Sequence, residues 1–186
     1  MLWVKSYPIT LPDYFAGFCQ DFTENNDPAP KGMYESVADS SMWTIWNTNP
    51  DNYQNQTLLE LRQNIKNITG ANLNYPKGFF CIWRYDENFT NCPIHIDGQG
   101  TNSGDITPIK HAGSVCTSIH GEFKIRLHHR DTNEIVDSVP VTTSNVIVLN
   151  NTVYPHSVEG QGDLAVFGVD LQSNPEEFFA GEAPNV

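Results

Sequence analysis

The stretch "RYDENFTNCPIHIDGQG", Arg84 to Gly100, places His95 and Asp97 one residue apart and interleaves them with Ile94 and Ile96. On an extended strand, alternate side chains share a face. The two polar groups would therefore point the same way, roughly 7 Å apart along the chain. Two such groups can hold one metal ion if another strand supplies a third donor. The best candidate is His156 in "NNTVYPHSVEG", 61 residues after His95, where the chain leaves the aliphatic run "VIVLN" and passes Pro155.

Around this stretch the sequence reads as short strands. "GFFCIWRY", "CPIHID", "SVCTSI", "EFKIRLHH", "EIVDSVPV", "NVIVLN" and "DLAVFGVDL" are separated by clusters of Gly, Asn, Asp and Pro. "HHRDTNEIVD" reads as a hairpin turning at Asp131-Thr132-Asn133. Alternation in these runs predicts a core containing Trp83, Ile94, Ile96, Phe123, Ile125, Leu127, Val146, Val148, Val166 and Phe167. Seven or eight short strands behind a helical lead-in imply a mainly β jelly roll or barrel with helices on one face. The lead-in, 1–75, has two helical patterns. In "LPDYFAGFCQDF", Pro12 suits a first helical turn, and Tyr14, Phe15, Phe18, Cys19 and Phe22 repeat at helical spacing. In "TLLELRQNIKNITG", Thr57 is the expected N-cap, Gly70 the stop, and Leu58, Leu61, Ile65 and Ile68 the buried stripe. The reading is one domain: this lead-in, a β core over 76–172, and a loose acidic tail over 173–186.

Composition narrows the function. The chain has 186 residues and a net charge of −12, with 22 acidic against 10 basic residues. Such a surface repels phosphate backbones and anionic lipid, which argues against nucleic-acid binding and membrane association. The start "MLWVKSYPIT" carries no apolar run fit for a secretory signal. No stretch reaches the roughly 20 apolar residues of a membrane span. Cys19, Cys81, Cys92 and Cys116 form no C-x-x-C pair, so a thiolate zinc site is not expected and reduced cytoplasmic thiols are. His111, His120, His128 and His129 lie near loop ends or the hairpin tip and read as solvated.

Two histidines and a carboxylate on one face of an octahedron leave three positions open, which suits oxygen chemistry on non-haem Fe(II). With zinc the same residues would form a four-coordinate hydrolytic site. The order Arg84-Tyr85, "DENFTNCP", His95-Ile96-Asp97, "SVCTSI", "HGEFKIRL", "VIVLN", "YPHSV", "DLAVFGVDL" resembles the 2-oxoglutarate- and Fe(II)-dependent oxygenases over about residues 79 to 171. The resemblance implies a double-stranded β-helix, also called cupin-like. It implies Fe(II) held by His95, Asp97 and His156, and 2-oxoglutarate contacted by Tyr85, which lies ten residues before His95 as in prolyl-hydroxylase-like members. The implied activity is hydroxylation of a peptide side chain or a small amino-acid-like substrate, with succinate and CO2 as co-products.

The chain departs from the family at one place. Most members anchor the far carboxylate of 2-oxoglutarate with a basic residue after the distal histidine. Here Ala165 and Val166 stand nine and ten residues after His156, and no Lys or Arg follows it. Members resembling asparaginyl hydroxylases use a lysine from an earlier strand, and Lys110, fifteen residues after His95, matches that spacing. Arg126 is the other candidate, with Lys124 beside it. Two other readings stay open. One is a cupin-like protein that binds a metal or small ligand without 2-oxoglutarate turnover. The other is a structural jelly roll in which His95 and His156 never meet.

Overall fold

The structure is a computed structural model, which describes residues 4–9, 11–29, 40–44, 55–71, 80–89, 92–96, 112–150, 155–170 and 179. Its elements run β1 (Val4–Pro8), α1 (Tyr14–Glu24), β2 (Ser40–Thr44), α2 (Gln56–Thr69), β3 (Phe80–Tyr85), β4 (Ala112–His128), β5 (Ile135–Val141), β6 (Asn145–Leu149) and β7 (His156–Asp170). The expected helical lead-in therefore also contains two strands, β1 and β2, which add to opposite edges of the sheet.

The strand order is β1-β6-β4-β7-β3-β2, with β5 also pairing β4, and all pairings are antiparallel. The long β4–β7 pair is its spine, in register from Ala112↔Asp170 to Leu127↔His156. The first half of β4 takes β6 as its second neighbour, and the other half takes β5. The long β4–β7 pair thus joins two strand groups of one sheet, with a bulge between Ser118 and His120 where they meet. This is the architecture of a double-stranded β-helix.

"SVCTSI" and "EFKIRLHH" are one strand, β4, rather than two. What reads as a turn is the bend itself. Gly121 and Gly162 face each other across it, with φ of 82° and 124°, and Gly160 has φ 129°. A Cβ on Gly162 would lie 2.2 Å from the His120 carbonyl oxygen. Gly162→Ala should therefore cost at least about 2 kcal/mol, from left-handed strain plus overpacking. For a chain of this size that lowers the thermal midpoint by about 4–8 °C. An unchanged midpoint would contradict the close approach.

The sheet has two apolar faces. Phe80, Ile82, Val115, Val146, Val148, Ala165 and Phe167 pack with α1 and α2 through Phe15, Cys19, Phe22, Leu58, Leu61 and Ile65. The inner face carries Tyr85, Phe89, Cys92, Cys116, Phe123, Ile125, Leu127, Ile147, Leu149, Val158 and Leu164. Of the expected core, Phe123, Ile125, Leu127, Val146, Val148 and Phe167 are buried; Trp83, Val166 and Ile96 are partly buried; Ile94 is exposed at 41%.

α2 begins two residues earlier than Thr57 suggests, because Asn55 is its N-cap and its side chain accepts from the Leu58 amide at 3.2 Å. Gly70 closes it in the left-handed conformation, with φ 72°. Leu58, Leu61 and Ile65 are fully buried, together about 5–9 kcal/mol of burial. Ile68 is exposed, and Thr69 takes its place, its hydroxyl donating to the Ile65 carbonyl. Pro12 stands just before the α1 cap, Asp13. Phe179, the one described residue of the tail, is buried in the helix-side core. No helix among the described residues is long and apolar enough to cross a membrane.

Candidate metal centre

β7 opens on His156, and the register pairs that residue with Leu127 of β4. Paired residues point to the same face of a sheet, so His156 faces the inner side with Leu127 and Val158. Its other edge is taken by the segment 92–96. The Cys92 amide donates to the Val158 carbonyl at 2.7 Å. His95 and His156 exchange both backbone bonds, at 3.0 and 2.8 Å. The two imidazoles face each other with centroids 4.2 Å apart and planes at 50°. His156 is buried and His95 half-buried.

"CPIHID" is thus not a regular strand. His95 makes an isolated bridge, preceded by a bend at Ile94 and by Pro93, which has no N–H to give. That explains the exposure of Ile94. It also means the strand alternation invoked for His95 and Asp97 rests on one bridged residue. Asp97 lies outside the described residues, as do Lys110 and His111. Among the described residues no three His, Cys, Asp or Glu side chains converge.

The His95 ring is oriented from behind. Its Nδ1 lies 2.7 Å from the Pro93 carbonyl and 3.6 Å from Cys92 Sγ. A carbonyl only accepts, so Nδ1 must donate, and the neutral ring then carries its lone pair on Nε2. This is the tautomer and the backing contact that metal-binding histidines use. A ring backed in this way can serve as a donor to a divalent transition metal.

Tyr85 is on the inner face, paired with Gly162 and 5% exposed. Its ring packs on Phe89 at 4.3 Å and Phe123 at 5.7 Å, and stacks on Trp83 at 6.0 Å. Arg84, the other half of that dipeptide, points to the helix side. It grips Asp163 through two bonds of 2.8 Å and lies 5.0 Å over the Trp43 ring. The bond to Asp163 holds its guanidinium above the usual arginine range.

Arg126 is not brought to the histidine pair. Ile125 and Leu127 point inward, so the alternation turns Arg126 to the opposite face, where it ion-pairs with Glu159. The exposed Lys124 shares that face, and its register partner is Glu159. Lys5 and Arg84 lie on the helix side, Arg62 and Lys66 in α2, and Arg130 in the hairpin turn. No cation among the described residues occupies the inner face. A shallow depression of about 440 Å³ lined by Phe89, Glu122, Glu159, Gly160 and Gln161 includes neither histidine.

His128, expected to be solvated, is buried at 5% and bonded through both ring nitrogens. His129 caps the hairpin turn, accepting from the Asp131 amide at 3.2 Å. His120 is exposed. All four cysteines are buried, and burial pushes the Cys19 thiol well above the ordinary thiol range.

No known family model matches the chain, and no curated protein does. Solved structures match across nearly its whole length. A prolyl-4-hydroxylase from Pseudomonas putida is 14% identical with a TM-score of 0.51, covering 90% of this chain and 91% of its own. HygX from Streptomyces hygroscopicus, solved with nickel and 2-oxoglutarate bound, is 11% identical at 0.55, over 92% and 84%. OsALKBH1 is 11% identical at 0.57, over 91% and 97%. At these identities the likeness is one of fold: the chain has the double-stranded β-helix found in 2-oxoglutarate- and Fe(II)-dependent oxygenases.

Proposed function

We propose that this protein is a non-haem Fe(II)- and 2-oxoglutarate-dependent dioxygenase that hydroxylates a peptide side chain or a small amino-acid-like molecule. The observation that carries the reading is the facing pair His95 and His156, with ring centroids 4.2 Å apart, at the end of the β4–β7 pair where β7 begins. Its support is the fold shared with HygX, which holds nickel and 2-oxoglutarate. His95, Asp97 and His156 would hold the metal, with Asp97 two residues beyond the bridge that fixes His95. Such a centre supplies oxidation: O2 and 2-oxoglutarate are consumed, succinate and CO2 leave, and a substrate C–H becomes C–OH.

The protein's own part is orientation and exclusion of water. Pro93 sets the His95 tautomer through its carbonyl. Tyr85, Phe89 and Phe123 form an apolar wall on the inner face, with the Tyr85 phenol as its polar group. A dicarboxylate in that interior needs a charge-assisted partner. The described cations all lie elsewhere, and of the ten basic residues only Lys31, Lys77 and Lys110 remain. Lys110 alone has the spacing from His95 that an earlier-strand anchor requires, so we assign it that role.

The net charge of −12 favours a cationic or neutral substrate over a nucleic acid, and HygX has been solved with hygromycin B bound. The test is succinate release by Fe(II)-loaded protein from 2-oxoglutarate, across amino acids and basic peptides. Release stimulated by one substrate class is expected. A second reading, a cupin-like metal or ligand binder, is favoured by the cation-free inner face among the described residues. Full metal loading with no succinate from any substrate would select it.

A further inference from the structure

We infer that His128 is a positioning residue for the distal metal ligand, acting through Ser157; the inference rests on the proposed role of His156. Two bonds from His128 reach the residues flanking His156, and a third ties its ring to the hairpin turn. The His128 amide donates to the Pro155 carbonyl at 2.8 Å. On the outer face its ring reaches diagonally across the strand pair, with Nε2 2.8 Å from Ser157 Oγ. Its Nδ1 donates to the Asn133 carbonyl at 3.0 Å. The residues on either side of His156 are thus both held by one buried side chain and its own backbone.

The geometry separates this clamp from ordinary packing. Ser157 and His128 share the outer face, while His156 projects inward beside Leu127. Fixing Ser157 therefore fixes the backbone plane from which His156 departs, without touching its ring. On the opposite edge that plane is fixed by the paired bonds to His95. The hairpin turn anchors the clamp, because Asn133, with φ 58°, presents its carbonyl to the ring. A serine hydroxyl can donate to a neutral ring or accept from a charged one, so the clamp holds in either form of His128. Partners bonded directly to a ligating ring set metal affinity, and their loss typically costs about 10–100-fold; this clamp acts one residue removed from the ring, so a smaller loss is expected of it.

The probe is Co(II) alone, followed by calorimetry and by its visible absorption, with the metal-free thermal midpoint recorded for each variant. His128→Ala is expected to weaken Co(II) binding by up to about tenfold, below the loss typical of a partner bonded to the ligating ring itself, and to alter the absorption. Two variants discriminate further. His128→Gln places its terminal amide where Nε2 was and should recover much of the affinity through Ser157. His128→Asn reaches only toward Asn133 and should not. Ser157→Ala should weaken binding in the same direction and carries the test if the His128 variants fail to fold. Wild-type affinity in both Ser157→Ala and His128→Asn, or equal losses in the Gln and Asn variants, overturns the clamp and leaves the metal site standing. A wild type that binds no Co(II) overturns the metal site and the clamp with it.

Discussion

His156→Ala should abolish function at its root. The alanine removes one of two imidazoles that stand 4.2 Å apart, so Fe(II) affinity should fall by more than the roughly 10–100-fold that loss of an outer partner costs. Turnover of 2-oxoglutarate should be lost in parallel. Isothermal titration under anaerobic conditions reads the first effect and succinate release the second. The fold should survive, because the strand bonds at this position are made by the backbone, which the substitution leaves in place. Wild-type iron affinity in a folded His156→Ala protein would remove His156 from the site.

Lys110→Ala should separate the cosubstrate from the metal. If Lys110 carries the far carboxylate of 2-oxoglutarate, its loss removes a hydrogen bond between charged groups, about 1.5–3 kcal/mol. The KM for 2-oxoglutarate should then rise at least about tenfold, with iron affinity unchanged. Arg126→Ala is the control. Arg126 faces away from His156 and pairs with Glu159, so its loss should leave that KM near the wild-type value. A raised KM in Arg126→Ala with a normal one in Lys110→Ala would reverse the assignment.

Much of the β core was legible because alternation is a direct projection of the pleat. Phe123, Ile125 and Leu127 are buried as their spacing requires. The same parity turns Arg126 outward, which the sequence argument for that residue overlooked. The hairpin before β5 was legible from Asp131-Thr132-Asn133, and Asn133 does adopt the left-handed conformation. The glycines misled. In a linear reading Gly121, Gly160 and Gly162 look like the ends of strands. In space they let two long strands cross at backbone contact distance, and both strands continue.

Other features needed tertiary context. β1 and β2 are five residues each and sit at sheet edges, too short for a period to show. Ile68 lost its place in the α2 stripe because 3.6 residues per turn rotate position 69, not 68, onto the core face. At the candidate site, the approach of His95 to His156 was expected from residue type and order. The bonds of Pro93 and Cys92 to the His95 ring were not, since they depend on a bend that no motif announces. His128 was missed for a related reason. A histidine at a hairpin end reads as solvated unless the partner strand, 29 residues away, is known to lie over it.

A crystal structure of the protein loaded anaerobically with Fe(II) would test the central claim most directly. The account predicts one ion per chain, with His95 Nε2, a ring nitrogen of His156 and a carboxylate oxygen of Asp97 each within about 2.0–2.3 Å of it. An ion bound elsewhere, or an Asp97 side chain directed away from the His95–His156 pair, would contradict it.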